Sequence, residues 1–178
     1  WLQWCLSATD VSGSEDASET VWGKYLVNDL HQYLQLQIGA LKKCAELAEA
    51  AEHMEKPAEN LRDTIAQMEH LLKCRKWDEI VSCNKLSYSD LRFNKNADAE
   101  LVGRIKAVRN ACKDGLAGKL KKFSDSSRQV MEDIQRVASS ARGLVSLTER
   151  FMCAYADLKR SKRVLDFSDL EHIALDLL

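Results

Sequence analysis

Lys106, Arg109 and Lys113 stand at i, i+3 and i+7, a spacing that puts three cations on one side of a helix. Lys119, Lys121 and Lys122 extend that charge toward the helix end. A row of ammonium and guanidinium groups can replace the counterions of a phosphate backbone, giving affinity without reading base sequence. A second basic group, Lys159, Arg160, Lys162 and Arg163, comes just before Asp166-Phe167-Ser168-Asp169. The candidate DNA contacts are therefore Lys106, Arg109, Lys113, Lys121, Lys122, Lys159 and Arg160. No clear aromatic interleaving accompanies the row, so stacking on single-stranded bases is not expected. A solvated helix face, or cations placed to suit a helix C-terminus, would use the same residue types.

Charge is unevenly spread. Residues 1–90 hold 9 Lys and Arg against 15 Asp and Glu, and residues 91–178 hold 17 against 12. Within 101–163 the balance is 15 to 6. The formal net charge of −1 thus hides an acidic half joined to a basic half, the pattern of a surface that faces a polyanion.

Other chemistries lack their residues. There is no G-x-x-x-x-G-K-[ST] phosphate loop and no glycine-rich run to cradle phosphates. His31, His53, His70 and His172 are scattered, and the six cysteines contain no C-x-x-C pair. They predict reduced buried thiols and no metal or iron–sulfur site. No nucleophile–base arrangement is signalled, so no catalytic residue is assigned and the chain is not expected to act as an enzyme alone. No apolar run reaches the roughly 20 residues needed to span a bilayer, and no basic region precedes Trp1, Leu2, Trp4 and Leu6 to make a signal peptide. A cytoplasmic location is expected.

The elements that must position these residues are helical. One proline, seven glycines and little strand-like alternation predict an all-α fold, an irregular multi-helix bundle with long antiparallel helices. Residues 1–19 form an N-terminal segment and a mobile polar linker (10–19), residues 20–165 a helical domain, and residues 166–178 the start of a further helix. The first long helix runs from about Thr20 to Lys56 on Trp22, Leu26, Leu30, Leu34, Ile38, Leu41, Cys44, Ala48 and Ala51. At about 1.5 Å per residue it would span on the order of 50 Å. Pro57 breaks it and opens a second helix to about Lys73, making an antiparallel hairpin. A short helix starts at Trp77, and an irregular stretch covers 84–96, with Leu86, Tyr88, Leu91 and Phe93 tucked onto the core. A further long helix spans 97–123, weakened by Gly115 and Gly118. The next, capped within Ser124–Ser127, reaches about Arg163, with Val130, Ile134, Val137, Ala141, Leu144, Phe151, Tyr155 and Leu158 inward. The last begins at Ser168, where Ser168-x-x-Glu171 fits a capping box.

The closing string, F-x-x-A-Y-x-x-x-K-R-x-x-x-V-L-D-F-S-D-L-E-H from Phe151 to His172, resembles the LDF(D/S)DLE segment of UvrD/RecB-like superfamily 1 DNA helicases. It is closest to the AddA (RexA) subunits of bacterial ATP-dependent helicase–nucleases. Trp22-Gly23-Lys24 opening a long helix, Trp77-Asp78-Glu79-Ile80, and Arg109-x-x-x-Lys113 after Lys106 are similar too. The likeness covers nearly the whole chain, weakly before residue 90. It implies a 1B-type helical arm excised from a longer protein, in which the segment leads back into a RecA-like motor domain. Asp166, Phe167, Asp169 and Leu170 carry over as motif residues that seat the returning helix; Ser168 stands where the family often has a second Asp. The parent is implied to be an ATP- and Mg-dependent helicase and exonuclease of double-strand-break repair and recombination. It would act on duplex DNA ends without sequence preference, together with an AddB/RexB-like partner subunit. Its phosphate loop, Walker B and nuclease carboxylates would lie outside this chain, so the chain itself holds no cofactor. A helical protein-interaction module, docking through Glu46, Glu49, Glu52, Glu55 and Glu59 and ignoring DNA, is the alternative. A spacer without contacts is a third.

Overall fold

The computed structural model describes residues 2–177; Trp1 and Leu178, assigned above to the first and last segments, lie outside them. Among the described residues, regular structure consists of α-helices and two short 3-10 turns, with no strand. The all-α reading is therefore correct. The chain divides into two units, Val11–Ile134, and Trp1–Asp10 with Gln135–Leu178.

The larger unit is built on a hairpin of α2 (Val21–Glu49) and α3 (Glu55–Lys73). Its register is visible in the pairs across it. Glu49 meets Arg62 at 2.6 Å, Lys42 meets Glu69 at 2.7 Å, and His31 Nε2 lies 2.9 Å from the Cys74 carbonyl. Partners descend one helix as they climb the other, so the two run antiparallel. Leu30, Leu34 and Leu41 of α2 and Leu61 and Met68 of α3 are fully buried between them. The break differs from expectation. α2 stops at Glu49, and the chain turns over residues 50–54 with His53 in the left-handed region at φ 64°. Pro57 then sits in the first turn of α3, where a missing N–H leaves no helical bond unmade.

α4 (Trp77–Ser82) and α5 (Ala99–Leu120) complete this unit, followed by a 3-10 turn, Lys121–Phe123, and the first turns of α6 (Ser127–Lys162). Trp77 is their junction. The residue is 2% exposed, and its ring lies 4.5 Å from the Phe123 ring. Its indole N–H donates to the Asp125 carbonyl at 2.8 Å, and its backbone N–H donates to Asp16 at 2.9 Å.

Residues 10–19 are not a linker hanging free of the fold. Asp16 caps a 3-10 turn, Ala17–Glu19; Ala17 is fully buried, and its N–H donates to the Ser127 hydroxyl at 2.7 Å. Thr20 then caps α2 by accepting from the Gly23 N–H at 3.0 Å. Gly23 is required there, because a Cβ would collide with the Ala17 carbonyl. Burial opposes the charge on Asp16, but hydrogen bonds from Ser18, Trp77 and Ser127 outweigh it and hold the carboxyl below its ordinary range.

The smaller unit contains α1 (Leu2–Ser7), the remainder of α6 and α7 (Phe167–Asp176); among its described side chains, the buried ones are Ala8, Ala138 and Val145. Val137, Leu144, Phe151, Tyr155 and Leu158, expected inward, are all exposed. They lie on a different side of α6 from Ala138 and Val145, and no described element covers them. Four of them recur every seventh residue, which makes a continuous apolar row along the helix.

Candidate nucleic-acid interface

α5 packs against α2 and buries Ile105, Cys112, Leu116 and Leu120 in the shared core, which turns Lys106 and Lys113 outward. Asp98 caps its start by accepting from the Glu100 N–H at 2.9 Å. At Gly115 a side chain of α2 lies directly against α5: a Cβ there would run into the Tyr33 phenol, whose hydroxyl donates to the Cys112 carbonyl at 3.3 Å. The glycine that weakens the helix is thus what lets it seat.

Aromatic residues do accompany the cations, supplied by the irregular strip 84–96 instead of by α5. Lys106 Nζ lies 5.2 Å from the Phe93 ring centroid, and Lys113 Nζ lies 5.4 Å from that of Tyr88. These cation–π contacts hold both ammonium groups in place without neutralising them. Lys121 and Lys122 are exposed on the 3-10 turn that follows. Lys106, Lys113, Lys121 and Lys122 have no carboxylate partner among the described residues. A cavity of about 560 Å³ opens beside them, with Leu86, Tyr88, Leu116 and Leu120 in its wall and Lys85, Lys113 and Lys121 around it.

Arg109 departs from expectation. It is 8% exposed, its guanidinium donates to the Ser89 carbonyl, and it lies 5.5 Å from the Tyr88 ring. Its position between Lys106 and Lys113 is rotated toward Cys112 and the core, so it clamps the strip 84–96 onto α5 and does not face solvent. Burial pushes the Tyr88 phenol up to about 12, so it stays protonated. Lys119 is also committed, to Asp29 at 2.6 Å.

The second basic group divides the same way. Lys159 lies 3.1 Å from Asp166 and 2.6 Å from Asp169, and only 18% of its side chain is exposed. It is a half-buried cation already paired, and a phosphate would have to compete with two carboxylates for it. Arg160 stays exposed, 3.3 Å from Asp157.

The motif residues start their helix one residue earlier than expected. α7 begins at Phe167 with Asp166 as N-cap, not at Ser168. Asp166 accepts from the Asp169 N–H at 2.9 Å, and Asp169 accepts from the Asp166 N–H at 2.9 Å, a reciprocal capping box. The Asp169 amide together with Lys159 holds the Asp166 carboxyl low; Lys159, then the Asp166 amide, does the same for Asp169. Lys159 is raised in turn, chiefly by its bond to Asp169. Asp-x-x-Asp therefore takes the role assigned to Ser168-x-x-Glu171. Phe167, 86% exposed, and Leu170, 51% exposed, project from this fixed turn with no described neighbour over them.

Metal-type donors also come together, against the expectation that the histidines lack partners. His70, Cys74 and Cys83 place a ring nitrogen and two sulfurs within 4.8 Å of one another. The H-x-x-x-C spacing at the end of α3 was the signal for this in the sequence.

No family model and no solved structure matches the chain significantly. Curated proteins do. A protein of Bacillus mycoides, named as a subunit of an ATP-dependent helicase/nuclease, is 28% identical over 185 residues, covering 100% of this chain and 15% of its own length. Identically named proteins of Acetivibrio thermocellus and Clostridium novyi are 23% identical, covering 100% and 95% of this chain. The resemblance that the closing motif carries thus extends over the whole chain, which spans about 15% of the length of these relatives. No described helix is long and apolar enough to cross a membrane.

Proposed function

We propose that this chain is a non-catalytic helical arm of an ATP-dependent helicase/nuclease. The whole-chain match to proteins of that name supports the parentage. Lys106, Lys113, Lys121 and Lys122, exposed without carboxylate partners, support contact with duplex DNA; this is the observation that carries the reading. Such a face tracks a phosphate backbone and is indifferent to base sequence. Arg160 is a secondary contact. In the parent, the work on broken DNA ends in repair and recombination would draw on ATP, Mg and a partner subunit through residues outside this chain.

The exposed row of Val137, Leu144, Phe151 and Leu158, with Phe167 and Leu170, belongs to the same reading. An apolar surface of this extent is a contact surface, and the rest of the longer protein is its natural cover. Asp166 and Asp169 fix the start of α7 so that Phe167 and Leu170 are presented in one orientation.

Fluorescence anisotropy with a short labelled duplex tests the reading. Binding should weaken steeply with salt and be insensitive to sequence, and alanine at Lys106, Lys113, Lys121 and Lys122 together should flatten the salt dependence. Equal binding by that variant and the parent chain would remove DNA contact from this face. Undiminished binding of a protein partner without DNA binding at low salt would favour the interaction-module reading, which the exposed apolar row also suits.

A further inference from the structure

We propose that His70, Cys74 and Cys83 form a binding site for a soft divalent cation of the zinc class. His70 lies in the last turn of α3 and Cys74, four residues on, is the residue that caps it, so the end of one helix brings a ring nitrogen and a sulfur together. Cys83 is delivered from the other side as the C-cap residue of α4, after a turn of only three residues between the helices. The His70 Nδ1 to Cys83 Sγ distance is 3.7 Å. Tetrahedral zinc, with Zn–S about 2.3 Å and Zn–N about 2.0 Å, demands a separation of about 3.5 Å along such an edge. All three donor atoms lie within 4.8 Å of one another, so the cage closes with side-chain adjustments alone.

The surroundings set the kind of site. The donors open into a cavity of about 560 Å³ that Lys73, Asp78, Glu79 and Ser82 also line. Glu79 is occupied by the Arg75 and Lys76 N–H groups at 2.9 and 3.1 Å, and Asp78 by the Ser127 N–H at 2.7 Å. Neither carboxylate turns toward the donors without releasing a backbone group. The protein therefore offers three ligands, and the fourth position faces the cavity, open to water or an outside donor. Two thiolates and a neutral imidazole balance a divalent charge and favour zinc over magnesium or calcium, which take oxygen ligands. A bound ion would tie the end of α3 to α4, beside the Trp77 junction. This inference stands independently of any contact with DNA.

The test uses the full chain, reduced with a phosphine and stripped by chelator. Titration with Zn²⁺ should show one tight equivalent, and Co²⁺ should give the visible bands of a tetrahedral ion with sulfur-to-cobalt charge transfer. Cys83→Ser and His70→Asn lie at partly or fully exposed positions, so both should keep the helical circular dichroism. Each should weaken Zn²⁺ affinity at least about tenfold, the loss that even an outer-shell change produces. Cys153→Ser, at an exposed thiol elsewhere, should leave it unchanged. Binding that survives in Cys83→Ser, or is absent in the reduced parent chain, overturns the site. So does a cobalt spectrum without sulfur charge transfer.

Discussion

Lys159 Nζ lies 2.6 Å from Asp169, and the same carboxylate accepts from the Asp166 backbone N–H at 2.9 Å. One cation thus fastens the end of α6 to the cap of α7. Asp166 and Asp169 both have depressed folded-state values, so their contribution is present above the ordinary carboxylate range. It is lost as pH falls through the folded values. Helicity of α7, read by amide exchange of residues 167–173, should therefore persist at neutral pH and fade in acid. Asp169→Asn should loosen the cap at neutral pH.

DNA affinity should separate the two kinds of lysine. Lys113→Ala and Lys121→Ala should each lower the slope of log affinity against log salt by about one. Lys159→Ala should leave that slope unchanged, because its charge is already spent on Asp166 and Asp169. The readout is anisotropy across a salt series.

His31 gives a pH dependence of its own. It is buried, with Nε2 on the Cys74 carbonyl and Nδ1 3.1 Å from Arg75. Burial first, then the Arg75 charge, lowers its folded-state value, so the fold favours neutral imidazole. The unfolded chain binds the proton more readily, so this contribution is complete above about pH 6.5 and falls away as the solution is acidified below it. Denaturant midpoints of the parent chain should drop between neutral and mildly acid pH, and His31→Gln should reduce the drop.

Trp77→Phe keeps an aromatic ring against Phe123 but leaves the Asp125 carbonyl without its indole donor. The expected cost is about 1–3 kcal/mol. Trp77→Ala, which also empties a fully buried site, should cost about 3–5 kcal/mol. Urea unfolding monitored by circular dichroism measures both.

Gly23→Ala should destabilise despite placing a better helix former in α2. The added methyl meets the Ala17 carbonyl, which is backbone held by Ser127 and cannot swing away. Gly39→Ala, with open space at its Cβ, should stabilise by up to about 1 kcal/mol. Opposite shifts in thermal midpoint for the two substitutions are the check.

Periodicity was sufficient for the helices, since a three-to-four step of leucines on α2 and α3 allows no other burial. It failed where the chain's neighbours decide the outcome. Val137 and Leu144 look inward by spacing, yet Ala138 and Val145 are the buried side chains, because nothing described covers the larger row. Arg109 shares a helix face with Lys106 and Lys113 in projection, but a rotation of about 60° toward Cys112 takes it under Tyr88 and Ser89. Tyr88 and Phe93 could not be assigned to the cations from sequence, since an irregular strip has no period from which to infer where it lies. The α7 cap was ambiguous for a local reason: Asp166-x-x-Asp169 and Ser168-x-x-Glu171 both satisfy the pattern, and only the phase of the helix separates them.

The core of the larger unit is contiguous in sequence, with every member between Ala17 and Phe123. During synthesis, that hub can close on the ribosome while later residues are still being added. The sticky stretch from Val137 onward then emerges after its predecessor is finished, with no half-made core for it to invade. Order of emergence thus shields the nascent chain from the bare apolar row of its longest helix.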